Sequence, residues 1–282
     1  MEPISYKLNI ICPNDGWILE KMGNELHKYI NGSNIVYSNN QAIYELGGLL
    51  DDEKAINYFI NYALYKRKNR GIDIALFTHL EEDIENKKLA EYFIAVAKQV
   101  DYSIFMTPKY EKICKNICNA SSVIIPGIDK KYKTKLNLGI VGREYTHTTR
   151  KNTSLSEKLS NIEWLNIEYT NGKLSENEMP QFYNRQDYTL VLSKVEGGPM
   201  CVLESLAMGK QLIFPKDVGF GELFTEGLYL YEKDDLASLI EILEKLFNDK
   251  KKLAKLVEKY SWENFAEEHK KIFDKLSEKF NN

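Results

Sequence analysis

Apolar positions along this chain alternate between two periods. Positions 7–12 form a short apolar run that stops at Pro13, Asn14, Asp15 and Gly16, after which Trp17, Leu19, Met22, Leu26 and Ile30 return at helical spacing. The reading is strand, turn, helix. The same logic predicts a strand at 34–37, a long helix over 52–66 and a buried strand at 72–78. A helix over 87–99, a strand at 102–106, a helix over 110–118 and a strand at 122–125 complete the first half. Pro126 and Gly127 then punctuate the chain near its middle. A second series begins at 136–141, continues through 164–167 and 188–193, and reaches 211–215 after an intervening helix. Strands alternating with helices in both halves predict two doubly wound, mostly parallel α/β sheets. The last stretch, with Trp262, Phe265, Ile272, Phe273, Leu276 and Phe280 among Lys and Glu, predicts an amphipathic helix.

The length of 282 residues suits two domains with a cleft, and 43% hydrophobic with 28% charged residues is ordinary for a folded protein. A formal net charge of -3, spread as mixed Lys and Glu, advertises no nucleic-acid field. Neither a basic-then-apolar start nor an apolar run of about 20 residues is seen, so a cytoplasmic protein is expected. Basic runs at 66–70 and 250–259 could lie on a membrane surface or phosphate backbone, although such runs are usually solvated helix faces. Cys12, Cys114, Cys118 and Cys201 have no CxxC pairing or His partner spacing, so structural zinc and disulfides are not expected. His27, His147 and His269 are expected at the surface.

Chemistry concentrates near residue 196. Ser193 closes a strand, Gly197 and Gly198 let backbone approach a ligand, and Pro199 suits the start of a helix that Gly209 ends. In an open α/β sheet, ligands sit beyond the carboxyl ends of strands, where this loop emerges. Glu196 in the loop and Glu204 on the helix could bind two sets of hydroxyls, while helix amides face phosphate. A glutamate pair without context is more often a loop acid and an ordinary helix acid.

The context here is a resemblance. Glu196-Gly-Gly-Pro199 through Glu204 to Gly209 resembles the box E-G-x-P-x-x-x-x-E-A-x-x-x-G of retaining GT-B glycosyltransferases of the group 1 superfamily (family 4-like), with Ser205 in place of the usual Ala. Gly142-Arg143 after a strand, Phe182-Tyr183, the loop Asp217 to Glu222, Tyr260 to Glu263 and the segment 122–129 are also similar. The resemblance covers essentially all of 135–282.

It implies a GT-B fold, two Rossmann-like domains facing across a cleft. An N-terminal acceptor-side domain would span 1–128 and a nucleotide-sugar-binding domain 129–262, with a helix at 263–282 packing back on the first. The implied activity is transfer of a hexose-type sugar from a nucleoside diphosphate sugar, most commonly a UDP-sugar, with retention. Arg143 and one of Arg150 and Lys151 would clamp the diphosphate, and Gly219, Phe220 and Gly221 would approach the phosphates and sugar. Glu196 would hold sugar hydroxyls and Glu204 the ribose. His79, ending a buried strand, matches a histidine beside the transferred sugar, and Asp15, Gly16 and Trp17 occupy the loop under donor and acceptor. No Asp-x-Asp box stands in a suitable setting, so neither metal nor cofactor is expected. The acceptor is open among a glycan or lipid-linked glycan, favoured, and a protein or modified DNA; peripheral contact with the inner membrane face goes with the lipid case. The competing reading is an inactive GT-B-like subunit that binds nucleotide-sugar or nucleic acid. A Rossmann oxidoreductase is disfavoured, because no G-x-G-x-x-G follows the first strand.

Overall fold

The computed structural model describes residues 3–38, 50–80, 87–143, 148–219 and 223–280. The chain divides into two compact units, Met1–Tyr132 with Glu258–Asn282, and Lys133–Val257.

Unit 1 carries six parallel strands in the order β2-β1-β3-β4-β5-β6. They are β1 (Lys7–Cys12), β2 (Asn34–Tyr37), β3 (Ala55–Phe59), β4 (Ile72–Phe77), β5 (Tyr102–Phe105) and β6 (Ser121–Val123). Helices α1 (Ile18–Tyr29), α2 (Lys87–Gln99), α3 (Pro108–Cys114) and, from the end of the chain, α8 (Trp262–Ser277) accompany them. The two central strands β3 and β4 are buried along their whole length, so apart from Asn57 and Asp73 they carry apolar residues on both faces.

One predicted element is corrected here. The segment 52–66 is not a helix: it holds β3 and then a 3-10 turn at Tyr62–Leu64, begun by Asn61, whose side chain accepts from the Ala63 amide. Apolar residues stand at nearly every position from Ala55 to Tyr65, so periodicity cannot choose, and Ile56, Tyr58 and Phe59 suit the pleat between two flanking strands. A polar rung fixes this register. Asn34, Asn9, Asn57 and Asp73 stand opposite one another on four adjacent strands. Asn9 donates to Asn57 (2.9 Å) and Asn57 to Asp73 (3.2 Å), with Asn34 reaching Asn9 at 3.4 Å. A one-residue slip would leave the buried Asn9, Asn57 and Asp73 without these partners and invert both faces.

Helix α8 starts at Ser261, whose hydroxyl accepts from the Asn264 amide (3.1 Å), and buries Trp262, Phe265, Ala266, His269, Phe273 and Leu276 in the core shared with α1, β1 and β3. His269 is therefore not a surface residue as the sequence suggested. It is fully buried, with Nε2 2.8 Å from the Tyr58 hydroxyl and Nδ1 2.8 Å from the Phe265 carbonyl oxygen. Helical spacing from Phe265 and Phe273 puts it on the apolar face, and the Tyr58 hydroxyl gives its ring nitrogen a partner there. His27 is exposed, and His147 lies outside the described residues. Burial presses the His269 imidazole down to about 4, against the partial lift of the Phe265 carbonyl. Because the folded value is below the unfolded one near 6.5, the neutral ring's stabilisation is complete above that pH and is lost as pH falls toward 4. Urea unfolding at pH 7 and pH 5 should differ by roughly 2 kcal/mol from this group, and His269→Gln should flatten that slope; an unchanged slope contradicts the assignment.

Unit 2 carries β7 (Leu136–Ile140), β8 (Leu165–Tyr169), β9 (Tyr188–Leu190), β10 (Leu212–Pro215) and β11 (Leu228–Tyr231), all parallel, in the order β11-β10-β9-β7-β8. Helices α4 (Thr153–Ser160), α5 (Met179–Arg185), α6 (Met200–Ala207) and α7 (Leu236–Lys255) cover it. Asp235 caps α7 by accepting from the amides of Ala237 and Ser238. No helix among the described residues is long and apolar enough to cross a membrane. In the two basic runs Arg67 meets Asp51 (2.8 Å), Arg70 meets Glu53, Lys250 meets Asp187 (2.5 Å) and Lys252 meets Asp249 (2.6 Å). Cys12, Cys114 and Cys201 are buried and Cys118 is half-buried, all as free thiols.

Candidate active site

In unit 2 the chain leaves β7 toward β8 on one side of the sheet and later returns to β9 on the other. Such a reversal opens a crevice beyond the carboxyl ends of the strands. A cavity of about 450 Å³ occupies that place, lined by the segments after β7 (Val141, Gly142, Arg143), β8 (Thr170, Gly172) and β9 (Ser193, Glu196), and by the start of α6.

Two glycines in the left-handed half of backbone space seat its cations. Gly172 has φ +65, and a Cβ there would stand 2.4 Å from Arg143 Nε. Gly142 has φ +130, and a Cβ there would stand 3.4 Å from Lys151 Nζ. Thr170 holds this turn by accepting from the Gly142 amide (3.0 Å). Lys151 points inward because Asn152, at φ 55, turns the chain into α4 and donates to Asp234 (2.9 Å), while the Lys194 amide donates to the Arg150 carbonyl (2.8 Å). Lys151 thus lines the cavity, whereas Arg150 is exposed and does not.

The Lys151 ammonium donates to Glu196 Oε1, with side-chain exposures of 20% and 11%. Burial pushes the Glu196 carboxyl up, but hydrogen bonds from Lys151 and Ser193 and the charges of Lys151 and Arg150 outweigh it and leave the group below its ordinary value. Glu196 is therefore an anion at neutral pH. Glu204, on α6, accepts at Oε2 from the Tyr183 hydroxyl (2.5 Å). Pro199 is the N-cap of α6 without a side-chain capping bond, and Pro199, Met200 and Cys201 line the cavity, so the positive end of the helix opens on it. Gly209, at φ +67, follows the other end of α6.

The loop at Gly219 joins the same place: its φ is +54, and a Cβ would meet Pro199 Cδ at 3.0 Å and the Glu196 carbonyl oxygen at 3.4 Å. Phe220 and Gly221 lie outside the described residues, as does Glu222. Gly197 and Gly198 are exposed beside Glu196, and a Cβ on Gly197 would meet nothing within 4 Å.

The structure thus brings Arg143, Lys151, Glu196, Pro199 and Glu204 around one cavity. The remaining candidates belong to unit 1. Asp15, Gly16 and Trp17 form a tight turn after β1, in which Glu20 accepts from the amides of Asp15 (2.8 Å) and Gly16 (2.7 Å), and Asp15 accepts from that of Trp17 (3.0 Å). The turn presents Trp17 at 74% exposure. His79 follows β4, exposed, with Nδ1 3.0 Å from Thr78 Oγ1. Thr170 and Gly172 escaped the sequence reading. Their signal was the turn-forming run Thr170, Asn171, Gly172 directly after an apolar strand. Among the described residues no group of three or more His, Cys, Asp or Glu converges as metal ligands would.

A glycine-seated cation pair, an anionic glutamate and an open helix N-terminus thus gather at the sheet's switch point, where open α/β sheets hold their ligands. The chain belongs to the family of glycosyl transferases group 1, whose model matches residues 122–262, half of its length. An uncharacterized glycosyltransferase of Methanocaldococcus jannaschii is 27% identical over 160 residues, 54% of this chain and 44% of that protein. The chain therefore spans less than half the length of that relative. Among solved structures, sucrose-phosphate synthase from Thermosynechococcus elongatus aligns at 10% identity over 96% of this chain and 99% of that one, with TM-score 0.39. The apo lipopolysaccharide outer core galactosyltransferase WaaB aligns at 15% over 95% and 99%, TM-score 0.39. Anabaena HepE in complex with UDP aligns at 10% over 96% and 100%, TM-score 0.40. At such scores the family assignment rests on the model match.

Proposed function

We propose that the chain is a glycosyltransferase that takes a hexose-type sugar from a nucleoside diphosphate sugar, a UDP-sugar by preference, with retention and without a metal ion. The observation that carries this is the convergence of Arg143, Lys151 and the α6 N-terminus with Glu196 and Glu204 around one cavity. The diphosphate would lie against the two cations and the helix end, the ribose against Glu204, and the sugar hydroxyls against Glu196. In transfer, the bond from the anomeric carbon to the phosphate oxygen breaks with its electron pair going to phosphate. The acceptor oxygen bonds to the anomeric carbon on the same face and gives its proton to the departing phosphate oxygen. Charge growing on that leaving group is what Arg143, Lys151 and the helix dipole would offset. Retention follows from family resemblance, and the metal-free reading from two fixed cations at the diphosphate position. The acceptor is proposed to be a glycan or lipid-linked glycan.

Incubation of the purified protein with a panel of nucleoside diphosphate sugars and glycan acceptors should release nucleoside diphosphate in an acceptor-dependent way, unchanged by a chelator. Release abolished by chelator and restored by manganese would overturn the metal-free reading. Tight donor binding without any release would point to an inactive nucleotide-sugar-binding subunit.

A further inference from the structure

Behind Glu204 lie three buried hydroxyls, those of Thr189, Ser205 and Tyr183, that the reaction does not consume. Thr189 on β9 stands with Oγ1 2.7 Å from Ser205 Oγ on α6. The Tyr183 hydroxyl on α5 donates to Glu204 Oε2 at 2.5 Å. Thr189, Ser205 and Tyr183 are 1%, 0% and 1% exposed, so no water competes for these bonds. Two contacts thus bracket Glu204: α5 reaches its carboxylate, and β9 holds the neighbouring residue of α6. Ser205 is the one position where this chain departs from the alanine of the box it resembles, and an alanine could not hydrogen-bond Thr189.

We infer that Thr189, Ser205 and Tyr183 are positioning residues that fix the Glu204 carboxylate and set how strongly the site selects a ribose over a deoxyribose. The Thr189–Ser205 contact pins to β9 the turn of α6 that carries Glu204, and Tyr183 holds the carboxylate itself. Oε2 is occupied by Tyr183, which leaves Oε1 as the acceptor for a ligand hydroxyl and holds the carboxylate plane in one orientation. A carboxylate held this way loses little freedom on binding. A site built to accept a hydroxyl leaves its own polar group underbonded when the ligand lacks that hydroxyl, and so discriminates. The inference rests on the nucleoside diphosphate reading of the cavity.

The test is calorimetric binding of UDP, ADP and GDP, each beside its 2′-deoxy and 3′-deoxy forms, to the wild-type chain, Tyr183→Phe and Ser205→Ala. The wild type should prefer the ribonucleotide over one deoxy form by about tenfold. Tyr183→Phe should weaken ribonucleotide binding about fivefold to tenfold and leave that deoxy form nearly unaffected, collapsing the ratio toward unity. Ser205→Ala should reduce the ratio about twofold to threefold. The ratio of two affinities is independent of the folded fraction, so it separates positioning from a loss of fold. A wild type that binds none of the nucleotides removes the nucleotide reading and this inference together. A wild type that discriminates, with ratios unchanged in both variants, removes this inference alone.

Discussion

Arg143→Ala is expected to lower sugar transfer by roughly 10²–10³-fold while leaving the thermal unfolding midpoint in place. The side chain is exposed, so its loss opens no core cavity, but it lies across Gly172 at the rim of the site, where leaving-group charge would develop. The same seat makes a second route to the same defect. A methyl group on residue 172 would stand 2.4 Å from Arg143 Nε, so Gly172→Ala must displace the guanidinium. Its left-handed backbone also disfavours alanine, at a cost of about 1 kcal/mol or more. The double variant Arg143→Ala, Gly172→Ala should then be little slower than Arg143→Ala alone, because both remove one interaction. Single-turnover rates measure this directly, and full additivity of the two losses would show that Gly172 acts in some other way.

Lys151→Ala is expected to cost about 10²-fold in turnover at neutral pH and, in addition, to change the pH profile. Two opposing influences act on Glu196: burial raises its carboxyl, and the hydrogen bonds and charges around it, those of Lys151 foremost, lower it to a net value below the ordinary one. In the wild type the acid limb of the rate profile should therefore fall below the ordinary glutamate range. Removing Lys151 leaves burial as the largest influence, so the carboxyl rises and fewer molecules carry the anion at a given acidic pH. The acid limb of kcat/KM should move to higher pH in Lys151→Ala and move back in part in Lys151→Arg. A limb that stays in place would mean that Glu196 is not the group being read.

Much of this was legible in residue order. The alternation of strand and helix signals carried the two parallel sheets, because Pro, Gly and apolar runs act locally. Where the signal failed, tertiary context was deciding. At 55–65 all but Asn57 and Asn61 are apolar, and only the neighbours β1 and β4 make the first part a strand. His269 reads as a surface histidine until Tyr58, more than two hundred positions away, supplies a partner inside the core. The box from Glu196 to Glu204 was readable since its strand, glycines and helix are contiguous. The choice between Arg150 and Lys151 was not, for it depends on Asn152 adopting φ 55 and on a backbone bond from Lys194. Likewise the contacts behind Glu204 come from residues 183, 189 and 205, which no spacing rule connects.

A crystal structure of the chain grown with UDP, or with whichever nucleoside diphosphate binds most tightly, tests the central claim most directly. The account predicts the diphosphate within hydrogen-bond reach of Arg143, Lys151 and the first amides of α6, with a ribose hydroxyl on Glu204. A nucleotide bound anywhere else, or none at millimolar concentration, would contradict it.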